Sequence, residues 1–121
     1  MSESPAITTA RALGEHLDGW RIVTGDEPLD AITRPTLVVW TGDVTQTNRR
    51  LAEANVEVWA LAPEGKPSEV EASMWVILTQ ALDAITTAMP ELGWLTATRG
   101  VLGGRFPGYS IPLTLATNWK D

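Results

Sequence analysis

The segment SEVEASMWVILTQALDAITTAM, residues 68–89, decides the fold, because it is the longest stretch of the chain with a single period. Val70, Met74, Ile77, Leu78, Ala81, Leu82, Ile85 and Met89 recur at steps of three and four, so a helix stacks them into one apolar stripe. Glu71, Gln80, Asp83 and Thr87 fall off that stripe. Ser68 with Glu71 three residues on predicts a capping box, with Pro67 just before the cap and Pro90 as the stop. Glu69 and Glu71 suit the positive end of the helix dipole. At 1.5 Å per residue such a helix is about 33 Å long, enough to lie along the whole sheet of a small domain. Its apolar stripe demands that sheet.

Downstream, WLTATRGVL (94–102) reads as a strand and GGRFPG (103–108) as a loop. In YSIPLTLAT (109–117), Tyr109, Ile111, Leu113 and Leu115 alternate with Ser110, Pro112, Thr114 and Ala116, as a strand with two unlike faces requires. Pro112 has no N–H for a ladder, which places this strand at an edge or gives it a bulge. Upstream, TLVVWTGDVT (36–45) and NVEVWALA (55–62) are the strongest strands, with TNRR (47–50) as a hairpin loop or exposed tip. Residues 51–54 can prolong either neighbour. WRIVT (20–24) is a shorter strand broken by GDEP (25–28), and residues 29–32 can form one helical turn. At the start, Ser4 as cap, Pro5 at the first helical position and Ile7, Ala10, Leu13 and Leu17 at helical spacing predict a short helix closed by Gly19. Strands in hairpin-like groups rather than in alternation with helices predict an α+β fold. The expected architecture is a mixed or antiparallel sheet of four to five strands, with two helices packed on one face.

With 121 residues the chain reads as a single domain, residues 1–121, with enough length to bury a core without staples. It has no cysteine, which excludes disulfides, thiolate metal sites and cysteine nucleophiles. Fifteen acidic against nine basic residues give a formal charge of −6, unfavourable for gripping a polyanion. No stretch approaches the roughly 20 apolar residues of a membrane span, and the N-terminus lacks a basic, then apolar, leader pattern. Six tryptophans stand beside one tyrosine and one phenylalanine, and tryptophan concentrates in cores and at protein interfaces.

Catalytic, metal and cofactor chemistry finds no motif. His16, the only histidine, sits near the end of the first helix, where a solvated side chain by the negative dipole end explains it, and no nucleophile and orienting acid accompany it. Asp26, Glu27 and Asp30 can bind a cation or act as an acid/base pair, but turn formation and solvation explain them equally. The glycines around Arg99 and Arg105 match neither a P-loop nor a dinucleotide fingerprint. We therefore expect no catalytic residues, no metal site, no cofactor and no enzyme activity.

The central strands are apolar on both faces. Leu37 and Val39 point one way and Val38, Trp40 and Val44 the other; Val56, Val58 and Ala60 oppose Trp59 and Leu61. A sheet with one wet face alternates apolar and polar residues, and two helices about 10 Å across cover only one face of a sheet roughly 20 Å wide. Either the sheet curls on itself or Trp40 and Trp59 meet another subunit, since exposed apolar surface of this kind marks an interface.

Several phrases together resemble one family. GWRIVTGDEPLDAITRPTLVVW (19–40) after a short helix, VEVWALAP (56–63), ALDAI (81–85) with Trp94, Ala97 and Thr98 after it, and GYSIPLTLAT (108–117) resemble the small tail terminator proteins of long-tailed, non-contractile bacteriophages, particularly those of actinobacterial hosts. Residues 47–54 look shorter than the hairpin of such relatives. The resemblance implies an α+β subunit of a ring, hexameric in that family, at the head-proximal end of the tail tube. The ring stops tube polymerisation and joins the head-completion or stopper protein. Its implied partners are copies of itself, the tail tube protein and the head-completion protein, with DNA passing through the lumen unbound and no membrane involved; its place is the virion neck, after assembly in the host cytoplasm. An acidic lumen suits that role, because a basic one would hold the genome. The family has no residue motif to carry over. The chemistry of this chain nominates Trp40 and Trp59 on the uncovered face, Arg49 and Arg50 at a loop tip, and Arg105 and Phe106 in the last hairpin loop. Another neck component or tube-like subunit shares this logic, and a monomeric small-ligand-binding domain stands as the alternative of another class.

Overall fold

The computed structural model describes residues 3–25, 29–92 and 94–119. Along the chain run α1 (Pro5–Gly14), β1 (Arg21–Thr24), β2 (Thr36–Gln46), β3 (Leu51–Leu61), α2 (Pro67–Ala88), β4 (Thr98–Leu102) and β5 (Phe106–Asn118). The five strands form one sheet in the order β1-β2-β3-β5-β4. β1 is parallel to β2 and every other pair is antiparallel, so the sheet is mixed and the fold is α+β.

The two helices share one face. Met74, Ile77, Leu78, Ala81 and Ile85 of α2 and Ala6, Ala10 and Leu13 of α1 bury against Leu37, Val39, Val56, Val58, Ile111 and Leu113. Trp20, just before β1, donates its indole N–H to Gln80 Oε1 at 3.1 Å and ties the α1–β1 connection to α2. Ser4 caps α1 by accepting from Ile7 N–H at 3.2 Å. Ile7 itself is 42% exposed, and the buried stripe of α1 instead takes in Ala6 and Thr9. The start of α2 also differs from the expected cap. The helix begins at Pro67 with Lys66 as N-cap, and it is Glu69 whose carboxylate reaches back to the Lys66 N–H, at 3.4 Å. Proline is suited to the first helical position, so the helix gains that turn and Ser68 and Glu71 fall inside it.

Where strand bounds differ from expectation, the ladder explains them. Residues 51–54 belong to β3, whose pairing with β2 reaches Gln46↔Ala52 and with β5 reaches Leu51↔Asn118. The hairpin is therefore long, not short. Phe106 opens β5, paired with Leu102, and only residues 103–105 remain as the turn, with Gly103 and Gly104 at positive φ. Residues 29–32 form no helical turn; Ile32 is instead buried against the sheet. Pro112 behaves as anticipated, since β4 pairs β5 only up to Ser110 and leaves Pro112 on an open stretch of edge.

The second face carries its own smaller core. Val38, Leu61, Val23 and Phe106 cluster with Ile32, while Leu29, Trp40, Trp59 and Leu102 pack against them. β1 and β2 run parallel, and residues 29–35, which lead into β2, bring Ile32 down on the face the helices leave free; the Glu64 N–H donates to the Ile32 carbonyl at 2.8 Å and holds it there. Val44 does not join this face. A register shift between Thr41 and Val44 sets two residues of β2, Gly42 and Asp43, against one of β3, Asn55, and the extra residue turns Val44 to the helix side, opposite Ala54.

Beyond the ends of β1 and β4, the strands β2, β3 and β5 continue alone as a three-stranded arm. Its tip is an Asx turn in which Asn48 Oδ1 accepts from the N–H groups of Arg50 and Leu51, both at 3.0 Å. Trp119 closes the third strand there, its N–H donating to the Arg50 carbonyl at 3.0 Å.

Candidate interaction surfaces

Trp59 does not stand up from the sheet. Its side chain reaches across β5, so that a Cβ at Gly100 of β4 would lie 3.2 Å from the ring, and its indole N–H donates to Glu57 Oε1 at 3.0 Å. The same carboxylate oxygen accepts from the Ser110 hydroxyl at 3.1 Å. Trp59 and Trp40 are both half-buried, at the border of the small second core. Phe106 belongs inside that core and is 8% exposed, contrary to its expected place in a loop, because the first pair of the β4–β5 ladder draws it into the sheet. Arg105 stays outside, its guanidinium 4.9 Å from the centre of the Phe106 ring and hydrogen-bonded to Glu64 at 3.1 Å. Arg49 and Arg50 are exposed at the arm tip and form no ion pair among the described residues.

Sequence reasoning missed the larger apolar exposures. Trp75 and Val76, on the outward side of α2, are 67% and 50% exposed. Trp94, Leu95 and Val101 are exposed before and within β4, and Trp119 is 52% exposed at the arm tip. The signal for Trp75 lay in the stripe itself: Met74, Ile77 and Leu78 face the sheet, and one further residue turns a helical side chain by about 100° away from them. A tryptophan off the stripe must be outside.

Along the outward side of α2, Glu71, Trp75, Thr79 and Asp83 follow each other at steps of four and form one row. Glu71 accepts a hydrogen bond from Arg99 of β4. That bond, and then the Arg99 charge, hold the Glu71 carboxyl below the usual carboxylate range, and the same pair raises the guanidinium. α2 carries no lysine or arginine, so its exposed side is acidic and apolar.

The clefts are open and shallow in chemistry. One, of about 670 Å³, lies between Ser4, Ile7, Thr24, Trp40 and Thr41; another of about 560 Å³ lies between Glu64, Val70, Arg99 and Pro107. His16 lines a small cleft with Asp18 and Asp83. Among the described residues no three His, Asp or Glu side chains gather as a metal site would need. Asp26 and Glu27 lie outside the described residues, and Asp30 is exposed. No described helix is long and apolar enough to cross a membrane. In comparison with known proteins, the chain matches no family model and no curated protein.

Proposed function

We propose that the chain is the subunit of a phage tail terminator, a ring that caps the head-proximal end of the tail tube, stops its polymerisation and joins it to the head-completion protein. The observation that carries this reading is the apolar surface a single copy leaves in water. Trp75, Trp94 and Trp119 are each more than two-fifths exposed, on α2, before β4 and at the arm tip. Separate patches on one chain suit a heterologous, ring-closing contact, in which each copy offers one surface to the copy before it and another to the copy after it. The resemblance of residues 19–40, 56–63, 81–85 and 108–117 to tail terminators supplies the identity of the ring. The α+β fold, with two helices on a mixed sheet, agrees with what that resemblance implies. The net charge of −6 suits a lumen that lets DNA slide.

Two measurements on the purified chain test the proposal. Native mass spectrometry over a concentration series is expected to show closed rings, and the chain added to polymerising tail tube protein is expected to shorten the tubes. A chain that remains monomeric and leaves tube length unchanged refutes it.

A further inference from the structure

We infer that the tip of the β2–β3 arm of one copy docks on the outward side of α2 of another, with Arg49 and Arg50 set against Trp75 and Asp83. The inference rests on the ring reading and specifies its subunit contact.

The two surfaces complement each other in charge and in kind. The tip presents two adjacent arginines without ion pairs among the described residues, flanked by Leu51 at 39% and Trp119 at 52% exposure. α2 presents an indole two-thirds exposed and Val76 beside it, in a helix that has acidic residues and no basic one. Of the acids in the row, Glu71 is engaged by Arg99, while Asp83 is exposed and carries no ion pair among the described residues. A guanidinium stacks well on an indole face, and a second one beside it can reach a carboxylate. Asp83 lies eight steps along the helix from Trp75, about 12 Å, a distance two neighbouring arginine side chains can straddle.

Along the arm, edge-to-edge pairing of sheets is disfavoured on both sides. β2 continues past β1 with an open edge from Trp40 onward, but the bulge between Thr41 and Val44 breaks the regular spacing a new strand would need. β5 continues past β4 from Ile111 onward, but Pro112 withholds a donor there. Bulges and prolines on open edges are the devices that keep sheets from pairing with foreign strands. Contact made by the arm is thereby left to side chains, and the arm tip and α2 carry exposed tryptophans beside charges of opposite sign.

The test is charge reversal with rescue, read as the association constant by native mass spectrometry or sedimentation, with thermal unfolding as a check that each variant is folded. Arg49→Glu with Arg50→Glu, and separately Asp83→Arg, are each expected to weaken association at least about tenfold, and the three together to recover most of the loss. Trp75→Ser is expected to weaken association to a similar degree without rescue. If the wild-type chain forms rings and the reversals leave them intact, or if the combined variant is weaker than either parent, the docking is overturned while the ring stands. If the wild-type chain neither self-associates nor acts on tubes, the ring reading fails, and the docking with it.

Discussion

Gly108→Ala tests how firmly β5 is locked to β3. Gly108 stands opposite Leu61 on one side and Gly100 on the other, in the strand shared by both ladders. A Cβ there would lie 2.2 Å from the Ala60 carbonyl oxygen and 2.8 Å from Leu61 Cδ2. A carbon–oxygen contact normally needs about 1 Å more than that, and the obstructing atom is backbone of β3, which is paired along its length with β2 and β5. Relief requires the strands to part, which also strains the Ala62 N–H···Pro107 carbonyl bond of 3.1 Å. Overpacking costs about 1–3 kcal/mol and a weakened buried hydrogen bond about 1 kcal/mol more, so the expected loss is about 3 kcal/mol, a large share of the ~5–15 kcal/mol that holds a domain together. Gly100→Ala is the control. Its Cβ meets the Trp59 ring at 3.2 Å, and a side chain can tilt, so about 1 kcal/mol or less is expected. Urea denaturation followed by far-UV circular dichroism measures both. A Gly108→Ala protein within about 1 kcal/mol of wild type, or a Gly100→Ala protein equally destabilised, refutes the reasoning.

Thr9→Val is expected to raise the urea midpoint, by a gain of about 1 kcal/mol, because the Thr9 hydroxyl is buried without a hydrogen-bond partner among the described residues and a methyl group of similar shape removes its desolvation cost; a lowered midpoint would contradict this. The Glu71 carboxyl is expected to titrate, by NMR, below a glutamate in an unstructured peptide, and Arg99→Met is expected to return it upward. Because its folded-state value is lowered, the stability from this pair is present above the unfolded value and is lost as pH falls through the lowered one. Both side chains are exposed, so the change in stability is small and the titration is the decisive readout. A midpoint unaffected by Arg99→Met removes the assigned cause.

The long-range organisation was legible wherever periodicity and side-chain chemistry agreed. The stripe from Val70 to Met89 announced the central helix, and the alternation from Tyr109 to Leu115 announced which side of β5 is buried. What the sequence concealed were effects of single insertions and of neighbours. The bulge after Thr41 reverses the side of Val44, and its one local signal, Gly42-Asp43 inside the strand, does not by itself say that the register shifts there. Phe106 looks like a loop residue among glycines and a proline, and becomes a core residue only because Leu102 pairs with it. The second face looked bare because a loop is invisible to periodicity, yet residues 29–35 lay Ile32 across it. For the candidate surfaces, Arg49 and Arg50 were visible as a polar tip, whereas Trp75 was hidden inside a helix read for its buried stripe alone.

That partial cover of the second face changes what a tryptophan substitution reports. Trp59 contributes to the fold through its ring over Gly100 and its N–H bond to Glu57, and Trp40 borders the same small core. Truncating a fully buried tryptophan costs about 3–5 kcal/mol; for the half-buried Trp59, about 2 kcal/mol is the expected loss in Trp59→Ala, together with a Glu57 left with the Ser110 hydroxyl alone. Any loss of the proposed assembly in Trp59→Ala or Trp40→Asp is therefore mixed with a loss of folding, and the two separate only if association is measured well below the unfolding temperature. Trp75 carries no such burden, since two-thirds of it is in water and it lies off the α2 stripe. If Trp59→Ala unfolds at the wild-type urea midpoint, the ring contributes nothing to the fold and its whole face is free for a partner. If it loses about 2 kcal/mol, the second face belongs first to the monomer, and the arm tip and α2 are left as the surfaces for the proposed assembly.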